Sequence, residues 1–118
     1  MNLSATDLEK MAQVKSILEK EYKNQNKQAM LAKRVYINEC KLRKNFKLAY
    51  NKTIHDYLVL VRIEKAKEML AGTDATVKAI AISIGYDASS LERRFKELTG
   101  MSPLSWRKKH MAAVFEKS

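Results

Sequence analysis

Arginine and lysine recur at matched positions in two stretches of this chain. Arg93 and Lys96 lie in "SLERRFKELTG" (90–100), and Lys44 and Lys47 lie in "KLRKNFKLAYN" (41–51). Side chains three apart share one face of a helix, so each stretch can offer a pair of cations to phosphate. An arginine among them can also fork onto a guanine edge. Bond-making chemistry has no comparable basis. The sequence holds no glycine-rich phosphate loop, no Ser-His-Asp constellation and no paired carboxylates in an evident pocket. His55 and His110 lack partners at ligand spacing, and Cys40 is the single cysteine, which excludes an internal disulfide. A lone thiol also lacks the resolving partner of a redox switch. The expectation is a binding protein, not an enzyme, with no catalytic residue, metal or cofactor.

The charge supports binding of a polyanion. The 118 residues carry a net charge of +10, and its placement is uneven. Residues 1–25 hold four Lys against four Asp or Glu, whereas residues 26–118 hold nineteen Lys or Arg against nine acids. Clustered cations attract phosphates directly and through counterion release. No apolar run approaches the ~18 residues that cross a membrane, and "MNLSATDLEK" has no signal-peptide pattern. A cytoplasmic protein without a membrane partner is expected. Charge alone leaves DNA, RNA and anionic lipid open.

The elements that must position these cations are all helical. Leu8, Met11, Val14, Leu18 and Tyr22 recur at helical spacing after Thr6-x-x-Glu9, a capping-box pattern, which predicts a helix over 7–24. Further helices are expected over 28–35, over 39–49 capped by Asn38, and over 54–71 after Thr53. In the last of these Leu58, Val61, Ala66, Met69 and Leu70 are the expected buried positions, with Gly72 closing the helix at positive φ. Three more follow: 77–84 after Thr76, 88–99 after Asp87, and a last one from Ser102-Pro103. No useful length alternates with period two. The fold class is therefore all-α, with seven helices and no sheet.

The same plan is written twice. An offset of 49 residues, without a gap, relates Leu31, Ala32, Leu42 and Phe46 to Ile80, Ala81, Leu91 and Phe95. It also pairs the caps Asn38 with Asp87 and Thr53 with Ser102, and aromatic Tyr57 with Trp106. A short helix, a tight turn and a second helix form the layout of a helix-turn-helix. With Leu42 and Phe46 inward, Glu39, Cys40, Arg43, Lys44 and Lys47 turn outward. In the second copy Ala88, Ser89, Glu92, Arg93 and Lys96 turn outward while Leu91, Phe95 and Leu98 face in. Short polar residues followed by cations suit a major groove. A basic helical module that binds an acidic protein is the alternative reading.

From about Ala29 to Lys109 the residues resemble the DNA-binding domain of AraC/XylS-type bacterial transcription regulators. The most specific part is "VKAIAISIGYDASSLERRFKELTGMSP", similar to the family's second helix-turn-helix, and "RIEKAKEML" is similar to its linking helix. The resemblance implies one domain over 4–118, with two helix-turn-helix subdomains at about 7–52 and 76–113 joined by a long linker helix at about 54–71. It implies double-stranded DNA as partner, RNA polymerase as a second partner, and an activator's role. An effector ligand is expected only if a sensing domain exists outside this sequence. The implied DNA contacts are Glu39, Cys40, Lys41, Arg43, Lys44 and Lys47 in the first unit. In the second they are Ala88, Ser89, Ser90, Glu92, Arg93 and Lys96. By position, Glu92 can accept from a cytosine amine or steady Arg93, and Arg94 can turn to DNA or pair with Glu97. A linker of about 18 residues would be roughly 27 Å long, against about 34 Å for one turn of duplex.

Three features depart from the family pattern. Tyr36 stands at the first turn, where a small residue is usual, and a positive φ there would cost about 1–2 kcal/mol. Asn51 replaces a common glycine but tolerates the left-handed region. The spacing from Gly85 to Phe95 is one residue short of the commonest one.

Overall fold

The computed structural model describes residues 3–117, with side chains through Met111. Within them the chain forms α1 (Ala5–Lys20), α2 (Gln28–Arg34), α3 (Glu39–Tyr50), α4 (Ile54–Gly72), α5 (Val77–Ser83), α6 (Ala88–Thr99) and α7 (Pro103–Lys117), without a strand. The architecture is all-α, as the periodicity requires. Two compact units divide inside α4, the first ending at Val61 and the second beginning at Arg62. Residue 118, the expected domain end, lies outside the described residues.

In the first unit α1 and α2 both pack on α3. Met11, Val14, Leu18, Leu31, Ala32, Val35, Leu42, Phe46, Ile54 and Leu58 form its core. In the second, α6 packs on α5 and α7, and Ile63, Ala66, Leu70, Ile80, Ala81, Ile84, Leu91 and Phe95 are buried. Phe46 and Phe95 are fully buried, and each meets an aromatic ring of the following helix edge-on. Phe46 lies 5.9 Å from Tyr57, and Phe95 lies 5.9 Å from Trp106. Burying a Phe side chain contributes about 1.5–3 kcal/mol, and a T-shaped pair adds about 0.5–1.5 kcal/mol.

Backbone hydrogen bonds repeat with the same offset. Ile37 N–H donates to Ala32 O at 3.0 Å, and Tyr86 N–H donates to Ala81 O at 2.8 Å. Asn38 and Asp87 each accept from the backbone three residues on, at 2.7 Å. Asn51 (φ 56) and Gly100 (φ 81) end α3 and α6 in the left-handed region. Tyr36 (φ 59) and Gly85 (φ 92) occupy the two turns. The second glycine position thus identifies what the first asks of a tyrosine.

Several expectations need correction. The capping box of α1 is Ser4 with Asp7, not Thr6 with Glu9, because Ser4 and Asp7 satisfy each other's backbone N–H groups at 3.0 and 3.3 Å. The helix stops at Lys20, not 24. Asn26, at φ 54, donates its amide to the carbonyls of Glu21 and Asn24, which are then no longer free for helix continuation. Leu8 is half exposed; the 3.6-residue period sets it about a quarter turn from the centre of the Met11–Val14–Leu18 stripe. Leu98 is half exposed in the final turn of α6. Gly72 is not at positive φ. The C-terminus of α4 is instead closed by Thr73, whose N–H and hydroxyl both donate to Met69 O, and by Arg107, which donates to the carbonyls of Leu70, Thr73 and Ala75. Three acceptors at a helix C-terminus suit a guanidinium fork and the negative end of the dipole.

In α4, Val61 and Met69 are partly exposed, whereas Val59, Arg62 and Ile63 are buried. Positions 59, 62, 63, 66 and 70 form one helical stripe, and a charged residue at its middle conceals it in the sequence. Arg62 lies over the Tyr86 ring at 4.8 Å, a cation–π contact that helps offset burial of its charge.

Trp106 is the only tryptophan and reports on the second unit. Phe95→Ala should destabilise that unit by about 3–5 kcal/mol, measured as a shift in the denaturant midpoint of Trp106 fluorescence.

Candidate nucleic-acid interface

The outward faces of α3 and α6 are set by what their inward faces bury. On α3, burial of Leu42, Asn45 and Phe46 leaves Glu39, Cys40, Arg43, Lys44 and Lys47 exposed on the opposite side. On α6, burial of Leu91 and Phe95 leaves Ser89, Glu92, Arg93 and Lys96 exposed, with Ala88 half-buried at the first position. Lys44 corresponds to Arg93 and Lys47 to Lys96, so each unit carries two exposed cations one helical turn apart.

The remaining two candidates sit off these faces. Lys41 is exposed but turns toward α1, 3.6 Å from the Asp7 carboxylate. Ser90 is half-buried, and its backbone N–H is taken by Asp87. Both lie about 200° around the helix from its first residue, whereas the other five candidates on each helix span 0–140°.

Electrostatics separate the two arginines. Arg43 meets Glu39 at 3.1 Å, one turn earlier, and reaches Gln28 of α2 at 3.5 Å. Gln28 is a neighbour the spacing did not disclose, because no periodicity links residues fifteen apart. Arg93 makes no hydrogen bond or ion pair with the described residues. The expected support from Glu92 is absent, since adjacent residues diverge by about 100° on a helix. Arg93 acts instead on Asp87. The Ser90 backbone N–H, then the Ser90 hydroxyl, and last the Arg93 charge hold the Asp87 carboxyl below its ordinary value.

Other cations are committed within the protein. Arg94 approaches Glu97 at 4.0 Å, the second of the two roles its position allowed. Arg34 forms a fork with Glu21 at 3.0 and 2.9 Å, which raises the arginine's pKa and lowers the acid's. Arg107 caps α4. Lys33, Lys52, Lys108 and Lys109 are exposed. Among the described residues no cluster of His, Cys, Asp and Glu could hold a metal, and no helix is long and apolar enough to cross a membrane.

A family profile described as "Helix-turn-helix domain" matches residues 31–109, about two thirds of the chain. It begins at the first residue of the α2 core and spans both capped helix pairs. The chain belongs to the AraC-type helix-turn-helix family of DNA-binding transcription regulators.

The chain is similar to known regulators in sequence and in fold. The Msm operon regulatory protein of Streptococcus mutans is 28% identical over 97 residues, which are 81% of this chain and 35% of that protein. This chain therefore spans about a third of the length of that relative. Among solved structures, the DNA-binding domain of AdpA in complex with a target DNA superposes with a TM-score of 0.82 at 22% identity, covering 87% of this chain and 94% of that one. The C-terminal domain of AraT, a response regulator from Geobacillus stearothermophilus, gives 0.83 at 22% identity, with 94% and 90% covered. An AraC-type regulator from Chromobacterium violaceum gives 0.81 at 17% identity, with 91% and 96% covered. These likenesses establish the seven-helix fold.

The Asp87 cap gives a signed pH effect. Its depressed pKa means that its contribution is present above the unfolded value of about 3.9 and is lost as pH falls through the folded value. The stability difference between the native chain and Asp87→Asn, from thermal melts between pH 2 and pH 7, should shrink steadily below about pH 4.

Proposed function

We propose that this chain is the DNA-reading part of a transcription activator that places α3 and α6 in successive major grooves of one asymmetric site. The observation that carries the reading is the repeated frame itself. Two buried phenylalanines, two side-chain caps and two left-handed helix ends present Lys44 with Lys47, and Arg93 with Lys96, at identical steps along two helices. A solvated helix has no need to repeat its charges at the same steps.

In this reading Arg93, which makes no hydrogen bond or ion pair with the described residues, forks onto a guanine. Lys44, Lys47 and Lys96 take phosphate or a base edge one turn further along. Cys40, Ala88 and Ser89 are short enough for the first turn of each helix to approach the groove floor, and Arg43, steadied by Glu39 and Gln28, reads beside them. Lys41 and Ser90 serve at the flanks, and Glu92 accepts from a cytosine amine or faces solvent. A helix of 19 residues, α4, joins the two readers, and duplex bending can adjust their phase. One chain then needs no two-fold partner to read an asymmetric site. The protein acts on cytoplasmic DNA and positions RNA polymerase, and any effector would act through segments beyond this sequence.

Selection from random duplex pools, followed by mobility shift, tests the reading against a basic module that binds an acidic protein. A preferred sequence is expected, and binding that ignores sequence would sink it. Arg93→Ala should relax preference at one base pair by about 1–3 kcal/mol. If about six phosphates are neutralised, log K should fall with log salt at a slope near −5. A slope near zero with tight binding is incompatible with this picture.

A further inference from the structure

We propose that Tyr36 contacts the DNA backbone beside the half-site read by α3, its hydroxyl donating to a phosphate and its ring covering the adjoining deoxyribose. The inference rests on the DNA-reading assignment above. Tyr36 is 88% exposed, more than any other large hydrophobic side chain in the described residues. Its hydroxyl has no hydrogen-bond partner among them. The ring therefore contributes little to the core of the first unit.

The turn does not need the ring either. Tyr36 sits at φ 59, a region that L side chains with a Cβ enter only at a cost. The second unit builds the same turn with Gly85 at φ 92. Both backbones close alike: Tyr36 N–H donates to Lys33 O and Gly85 N–H to Ile82 O, each at 3.2 Å. A strained, exposed and unpartnered side chain where glycine suffices points to something outside the folded chain.

The surroundings say what that is. Lys33, whose carbonyl closes the same turn, is exposed, while the acid nearest in sequence, Glu39, is held by Arg43. Such a neighbourhood favours an anion. A phenol adds a neutral donor and an apolar plate, the pair of features that sugar and phosphate accept, and tyrosine is among the usual phosphate donors. Tyr36 also stands two residues before the Asn38 cap and so leads directly into the first turn of α3.

The test uses the whole 118-residue chain and a duplex selected by it. Tyr36→Gly should melt several degrees higher, because the strain is relieved, yet bind about 10-fold more weakly. Tyr36→Phe should bind about 3-fold more weakly with little change in melting. The loss should be uniform across base-pair substitutions, with an unchanged salt slope because no charge is removed. Tyr36→Asn, a second residue that tolerates positive φ, should behave like the glycine variant. Unchanged DNA affinity in the glycine and asparagine variants overturns the inference and leaves a protein partner as the ring's role. A loss confined to one base pair overturns the backbone assignment, and a fall in melting temperature for both variants makes the ring structural. If the native chain shows no sequence preference, the DNA-reading assignment fails and this inference with it. If the native chain discriminates, Arg93→Ala relaxes it, and Tyr36→Gly has no effect, this inference alone fails.

Discussion

Each outward face is set by an inward aromatic contact. Phe46 and Phe95 are fully buried, and each is met edge-on by the ring of the next helix, Tyr57 or Trp106. An α-helix transmits rotation rigidly, so fixing one side chain on the inward face fixes the azimuth of every residue on the outward one. Lys47 and Lys96 directly follow the two phenylalanines and are held to solvent by that contact. The caps then fix position along the axis, since Asn38 and Asp87 each lock the backbone three residues on at 2.7 Å. Rotation and translation are both determined before any partner arrives.

Around this contact the two units use different chemistry for the same geometry. Tyr57 donates its hydroxyl to Glu19 and lies near the Lys15 ammonium, and burial raises its pKa. Trp106 instead stacks on His110 at 3.7 Å. The first turn spends backbone strain on Tyr36, and the second uses Gly85. Arg43 is tied to Glu39 and Gln28, whereas Arg93 is unpaired among the described residues. The frame repeats at the 49-residue offset while the exposed positions differ between the two units.

Net charge overstates the cations that are available. Arg34, Lys41 and Arg94 face acids within the chain, Arg107 closes a helix end, and Arg62 is buried against Tyr86. The ion pairs are largely exposed, so each contributes little to stability. Their effect is to leave a smaller, better placed set of charges on α3 and α6. The two buried or capping arginines act on the linker helix, Arg62 from within it and Arg107 at its C-terminus. The helix that joins the units is thereby anchored to the turn before α6 and to α7.

The seven helices, their order and the repeat were legible in the residues, because 3.6-residue periodicity, side-chain caps and turn asparagines or glycines are local signals. The inward and outward faces of α3 and α6 followed from the same spacing. Helix ends governed by competing local bonds did not: Asn26 stops α1 early, and Thr73 with Arg107 displaces the role expected of Gly72. Burial of Arg62 and the half-exposure of Leu98 were equally hidden, since a residue's type does not disclose which neighbour covers it. The split between a steadied Arg43 and an unpaired Arg93 rests on Gln28 and on helix azimuth. Periodicity determines which side of a helix is apolar; only packing in three dimensions decides which charges meet each other and which are left to face a partner.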